Sequence, residues 1–100
     1  MKEQVGKVIL DYSRYPGVDF YSEGASEDAL LDVVSQYEES DYDHVILNTR
    51  SWSMLYHLSS TRGNIVRWLP IKKTDHVLEI GAGCGAVTGT LADMAGKVTC

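Results

Sequence analysis

The stretch from Asp75 to Cys100, DHVLEIGAGCGAVTGTLADMAGKVTC, constrains this chain more than any other. HVLEI is a short apolar run carrying one carboxylate, Glu79, and it leads into glycines at 81, 83 and 85. Ala86 to Ala95 then reads as a helix, with Val87, Leu91 and Met94 or Ala95 as its buried face. Gly96 stands where a left-handed C-terminal cap belongs, and Lys97-Val98-Thr99-Cys100 opens another strand. Strand, glycine turn, helix and strand make a βαβ unit, whose strands run parallel and join through a right-handed crossover. Ligands of such sheets bind beyond the carboxyl ends of the strands, which is where this turn lies.

Glycines accept positive φ and let a ligand approach the backbone with no Cβ in the way. Gly81-x-Gly83-x-x-Ala86 fits the loose dinucleotide fingerprint, so an NAD(P) or FAD site is one reading of the turn. Two details favour a different ligand. Glu79, two residues before the first glycine, would repel a pyrophosphate and attract a ligand bearing positive charge. The third glycine falls at 85 rather than 86, which opens the backbone one residue earlier than the dinucleotide fold requires. A cationic nucleoside fits better.

At these residues the chain resembles a known family. VLEIGAGCGAVTGTLA is similar to the first motif of class I S-adenosylmethionine-dependent methyltransferases, with its acid, its Gly-x-Gly-x-Gly turn and its following helix. GNIVRWLPIKKTDHVLEIGAGCG extends the likeness upstream, so the resemblance covers residues 60–100. It implies the start of a Rossmann-like α/β fold that binds S-adenosylmethionine. It sets Gly81, Ala82, Gly83 and Gly85 against the cofactor's amino-acid portion through backbone groups. Glu79 would hold the amino group or organise water near it; the competing reading is a strand-end acid that caps its own loop. Cys84 is expected to be merely small, because no base lies beside it in sequence. Tyr56, His57 and Arg62 lie in a segment that often covers the cofactor in this family, against the plainer reading of packing or surface groups. Trp52 and Trp68 are expected in the core. No metal is required.

Family members hold the cofactor ribose with an acid at the end of the second strand. The dinucleotide fold places its analogous acid roughly 20 residues after the first glycine, which from Gly81 reaches about residue 101. The expectation is therefore an N-terminal piece of a longer methyltransferase, inactive alone, with its catalytic residues beyond Cys100.

The remaining sequence is less specific. Lys7 to Tyr12 reads as a strand, Pro16-Gly17 as a turn and VDFYS as a returning strand, a hairpin pattern. Ser26 is a candidate N-cap for an amphipathic helix over 27–39, with Leu30, Leu31, Val34 and Tyr37 at helical spacing. SDYDHVIL is a linker running into an unassigned apolar stretch. Helices are predicted over 52–58 and 61–69, separated by a Ser cap and ended by Pro70. The division expected is an acidic N-terminal segment, 1–45, and the start of a cofactor-binding domain, 46–100.

Composition narrows the function classes. With 44% hydrophobic and 23% charged residues the chain reads as an ordinary soluble globular protein, with no membrane span and no secretory signal. Cys84 and Cys100 show no metal or redox spacing, which suits a reducing, cytoplasmic setting. Residues 1–50 carry 4 basic and 11 acidic side chains, a surface that would repel a phosphate backbone. A small-molecule or carbohydrate-type substrate is preferred over nucleic acid, although ribosomal RNA methylases share a similar first motif. The alternative from a different class is a small, non-catalytic interaction module, whose open sheet edge invites self-pairing.

Overall fold

The computed structural model describes residues 1–20 and 24–100. It is α/β, with two separate two-stranded sheets and a helical layer between them in sequence. Strands β1 (Lys2–Val5) and β2 (Val8–Asp11) pair antiparallel, Val5 facing Val8 across the turn. Gly6, with φ +61°, occupies the first position of that two-residue turn, where a side chain would be strained. The hairpin therefore closes upstream of the strand read from the sequence. The expected partner does not form over Val18–Phe20, and Tyr21 and Ser22 lie outside the described residues. Gly6-Lys7 is a shorter, better-matched connection than the loop containing Pro16-Gly17, so it takes β2.

Helix α1 (Ala25–Gln36) begins one residue before the expected cap: Gly24 is the N-cap, and Ser26 lies inside the first turn with Glu27 and Asp28. It ends three residues short of 39, because Tyr37 turns extended and a Glu38–Asp41 capping box starts a short 3₁₀ turn over Glu39–Asp41. The unassigned apolar stretch is a helix, α2 (Tyr42–Thr49). Arg50, left-handed at φ +49°, reverses the chain, and Ser51 caps α3 (Trp52–Leu58) by accepting from the Met54 N–H at 3.4 Å. Leu30 of α1, Val45 of α2, and Met54 and Leu58 of α3 form the buried cluster of this layer, with Val33, Tyr42 and Ile46 packed against it. Leu31, Val34 and Tyr37, expected on the buried face, are exposed. The buried stripe of α1 runs instead through Leu30 and Val33.

The predicted helix over 61–69 divides. Ser59 accepts from the Thr61 N–H at 3.4 Å and starts a 3₁₀ segment, Ser60–Gly63, that continues into α4 (Asn64–Arg67). Leu69 N–H donates to the Val66 carbonyl at 3.0 Å, a tightened last turn just before Pro70. Trp52 and Trp68 are not core: they are 74% and 76% exposed. Trp68 satisfies its indole N–H on the Ile65 carbonyl at 2.9 Å, within its own helical turn.

The βαβ unit forms as expected. Strands β3 (His76–Leu78) and β4 (Lys97–Thr99) pair in parallel, Val77 beside Val98, and α5 (Thr88–Met94) connects them. Leu91 and Ala95 bury the inner face of α5. Two details differ from the sequence reading. The helix starts at Thr88 rather than 86, because the glycine turn carries on through Val87. Gly96 is no left-handed cap: Ala95 ends the helix in an extended conformation, and φ at Gly96 is not positive. Gly96 serves by its missing side chain, since a Cβ there would overlap the Lys73 carbonyl oxygen. Its N–H donates to the Asp75 carbonyl at 3.0 Å, tying the loop before β3 to the start of β4. No helix among the described residues is long and apolar enough to cross a membrane.

Candidate functional site

The glycine turn grows out of the end of β3. The Glu79 N–H donates to the Thr99 carbonyl at 2.8 Å, so the parallel pairing fixes the last residue before the turn. Gly81, Gly83 and Gly85 then take φ values of +75°, +58° and +81°. Their alternation is thus a torsional requirement, met by the one residue type that adopts such angles freely. The Gly85 N–H closes a turn on the Ala82 carbonyl at 3.0 Å. A Cβ added at Gly81 or Gly83 would meet nothing within 4 Å. The backbone there is open to an incoming molecule.

Glu79 stands at the mouth of the turn, half-buried. Its Oε1 accepts a hydrogen bond from the Thr88 hydroxyl, the first residue of α5, so the carboxylate spans the turn from its entry to its exit. No Lys, Arg or His forms an ion pair with Glu79 among the described residues. The loop-capping role and the ligand-holding role of Glu79 are compatible in this geometry, because the Thr88 bond engages one oxygen only.

A cleft of about 410 Å³ opens beside the turn, with Cys84, Gly85 and Ala86 on one wall and His57, Ser59 and Ser60 on the other. His57 Nδ1 lies 2.9 Å from the Ser53 carbonyl oxygen. A carbonyl can only accept, so in the neutral ring Nδ1 carries the proton and Nε2 keeps its lone pair. Arg67, also on the cleft, donates to the Ser60 carbonyl at 2.9 Å and to Asn64 Oδ1 at 2.5 Å. Glu39 and Asp93 add two carboxylates to the lining. Of the three polar residues singled out upstream, only His57 lines this cleft. Arg62 lies over the Tyr56 ring, 4.0 Å from its centre, with its Nε buried and unpartnered. Two contributors escape sequence reasoning. Gly63 packs so tightly on α5 that a Cβ would overlap Thr90 Oγ1, and no local pattern marks that contact. Thr88 had a weak signal, a hydroxyl residue at the start of the helix after a glycine turn. Cys84 and Cys100 are exposed, and no cluster of three metal-binding side chains occurs among the described residues.

The family model for protein-L-isoaspartate(D-aspartate) O-methyltransferase matches residues 30–100. The chain belongs to this methyltransferase family. No curated protein and no solved structure matches it. The isoaspartyl methyltransferase match begins at Leu30, the buried residue of α1, and runs through the helical layer, both walls of the cleft and the whole βαβ unit. The β1–β2 hairpin lies outside it.

Proposed function

We propose that the glycine turn binds S-adenosylmethionine and that the chain takes part in methyl transfer to an oxygen acceptor presented through the adjoining cleft. The observation that carries this reading is the conjunction of an open backbone at Gly81 and Gly83 with a carboxylate, Glu79, that has no cationic partner among the described residues. The first accommodates a ligand pressed against the main chain, and the second attracts an ammonium or sulfonium group. Membership of a methyltransferase family supports the same reading.

In this reading the backbone of Gly81, Ala82, Gly83 and Gly85 faces the amino-acid portion of the donor, and Glu79 accepts from its amino group. When bound, S-adenosylmethionine supplies a methyl on a positively charged sulfur, so the leaving group needs no further activation. The protein's contribution is then to orient donor and acceptor and to exclude water. The family description names protein L-isoaspartate and D-aspartate as O-methyl acceptors, and an aspartyl side chain offers a carboxylate oxygen. An ionised carboxylate attacks without losing a proton. A hydroxyl acceptor on a small molecule or carbohydrate is the second reading, favoured by His57, whose Nε2 lone pair could take the proton that a hydroxyl must shed.

Calorimetry on the full chain with S-adenosylmethionine, S-adenosylhomocysteine and NAD tests the donor. Binding of the first two, unaffected by NAD, is expected. NAD binding without S-adenosylmethionine binding would overturn the reading.

A further inference from the structure

A glutamate side chain at the end of a strand has three torsions and can point along, across or away from the turn. Here one bond fixes the backbone from which the side chain departs, and a second fixes the side chain itself. The backbone N–H of Glu79 is held by Thr99 on β4 at 2.8 Å, and its Oε1 accepts from the Thr88 hydroxyl on α5. Thr88 is itself fixed, half-buried at the first turn of α5, with its hydroxyl 3.6 Å from the position a Gly85 side chain would take. A Cβ at Gly85 would stand in ordinary contact with that hydroxyl, so the third glycine is demanded by its φ of +81° and not by space.

The chemistry of the orienting group matters. A lysine or arginine in that place would hold the carboxylate equally well and cancel its charge. A hydroxyl is neutral, so it aims the carboxylate while leaving the full negative charge, and the second oxygen, for a ligand. Consistent with that, no cation pairs with Glu79 among the described residues.

We infer that Thr88 is a positioning residue for ligand selectivity: it presents Glu79 to the ammonium group of the bound nucleoside and so sets the preference for a ligand that carries an amino-acid tail. This inference rests on the donor reading above. It makes Thr88, through Glu79, responsible for recognising the tail and indifferent to the adenosine part.

The test compares two ligands on three proteins. S-adenosylhomocysteine carries the amino-acid tail; methylthioadenosine has the same thioether-linked adenosine without it. Each is titrated calorimetrically into the full chain in the wild-type form and as Thr88→Val and Thr88→Ser. Thr88→Val keeps the shape and loses the donor, and is expected to weaken S-adenosylhomocysteine tenfold or more with methylthioadenosine changed less than twofold. Thr88→Ser restores the donor and is expected to return within threefold of wild type. Equal loss of both ligands in Thr88→Val, or an unchanged S-adenosylhomocysteine affinity, would overturn the inference, as would a Thr88→Ser variant as weak as Thr88→Val. Failure of the wild-type protein to bind either ligand would instead overturn the donor reading itself.

Discussion

Among the described residues there are two sheets of two strands each, built on opposite principles. The β1–β2 hairpin is antiparallel, closes through a two-residue turn and leaves every strand residue exposed. The β3–β4 pair is parallel, and its partners are brought together only by a crossover through the glycine turn and α5. In the first, the pairing is local, between strands adjacent in sequence. In the second, the pairing exists because Leu91 and Ala95 bury a helix against it and because the loop before β3 meets β4 at Gly96. The lesson is that the strand pair with the fewer residues is the one integrated with the core, and it is the one that carries the candidate site.

That contrast predicts unequal responses to equal chemical insults. Leu91 is 5% exposed, so Leu91→Ala should cost about 2–5 kcal/mol in urea unfolding, the range for emptying a buried leucine site. A loss below about 1 kcal/mol would mean that α5 is not held by its buried face, and the contrast would break.

Gly83→Ala comes next. A left-handed torsion costs an L-residue about 1–2 kcal/mol, and φ at Gly83 is +58°. The alanine methyl would meet no protein atom within 4 Å but would stand in the space offered to the ligand. The expected result is at least about a tenfold loss of S-adenosylhomocysteine affinity, a step of 1.4 kcal/mol. The accompanying fall in unliganded stability should be no larger than the torsional cost. A variant that binds normally and melts early would assign Gly83 to the fold alone.

The hairpin should barely register. Ile9 is 66% exposed, and Ile9→Ala should change global stability by no more than about 0.5 kcal/mol. A larger loss would show that the hairpin is packed on the rest of the protein.

The legibility of the two regions differed for the same physical reason. In the βαβ unit, strand, acid, glycines and helix all pointed one way: Val77 pairs in the strand, Leu91 is buried, and Gly81, Gly83 and Gly85 take the positive φ that their type permits. The errors there were matters of geometry that local pattern does not carry. Gly96 makes room for a carbonyl from 23 residues earlier in the chain, a contact invisible at the level of torsional preference. Thr88 orients an acid across the turn. In the N-terminal half Pro16-Gly17 is the familiar turn dipeptide, but the tighter Gly6-Lys7 connection closes the hairpin. The tryptophans mislead because size suggests burial, whereas Trp52 and Trp68 find no covering layer. Helix α2 is hard to read from sequence because Val45, Ile46 and Leu47 are consecutive rather than at helical spacing, and only Val45 is buried.

The smallest expected effect is a pH response confined to the hairpin. The Ser13 N–H donates to Asp11 Oδ1 at 3.0 Å, and with Lys2 nearby it holds this carboxyl below its ordinary value of 3.8. A depressed carboxylate favours the folded form at pH values above its unfolded pKa, and that contribution fades as the pH falls through the lowered folded value. Acid titration should therefore move the Ser13 amide resonance at a pH below 3.8, and Asp11→Asn should abolish the step. Because Asp11 is exposed, global melting should not follow it.

The most direct test of the account is an amide NMR map of the full chain titrated with S-adenosylhomocysteine. The account predicts that the largest shifts fall within residues 79–88, extend to the cleft wall around His57, and leave Lys2–Asp11 unmoved. Saturable shifts centred on the hairpin, with the glycine turn unchanged, would contradict it.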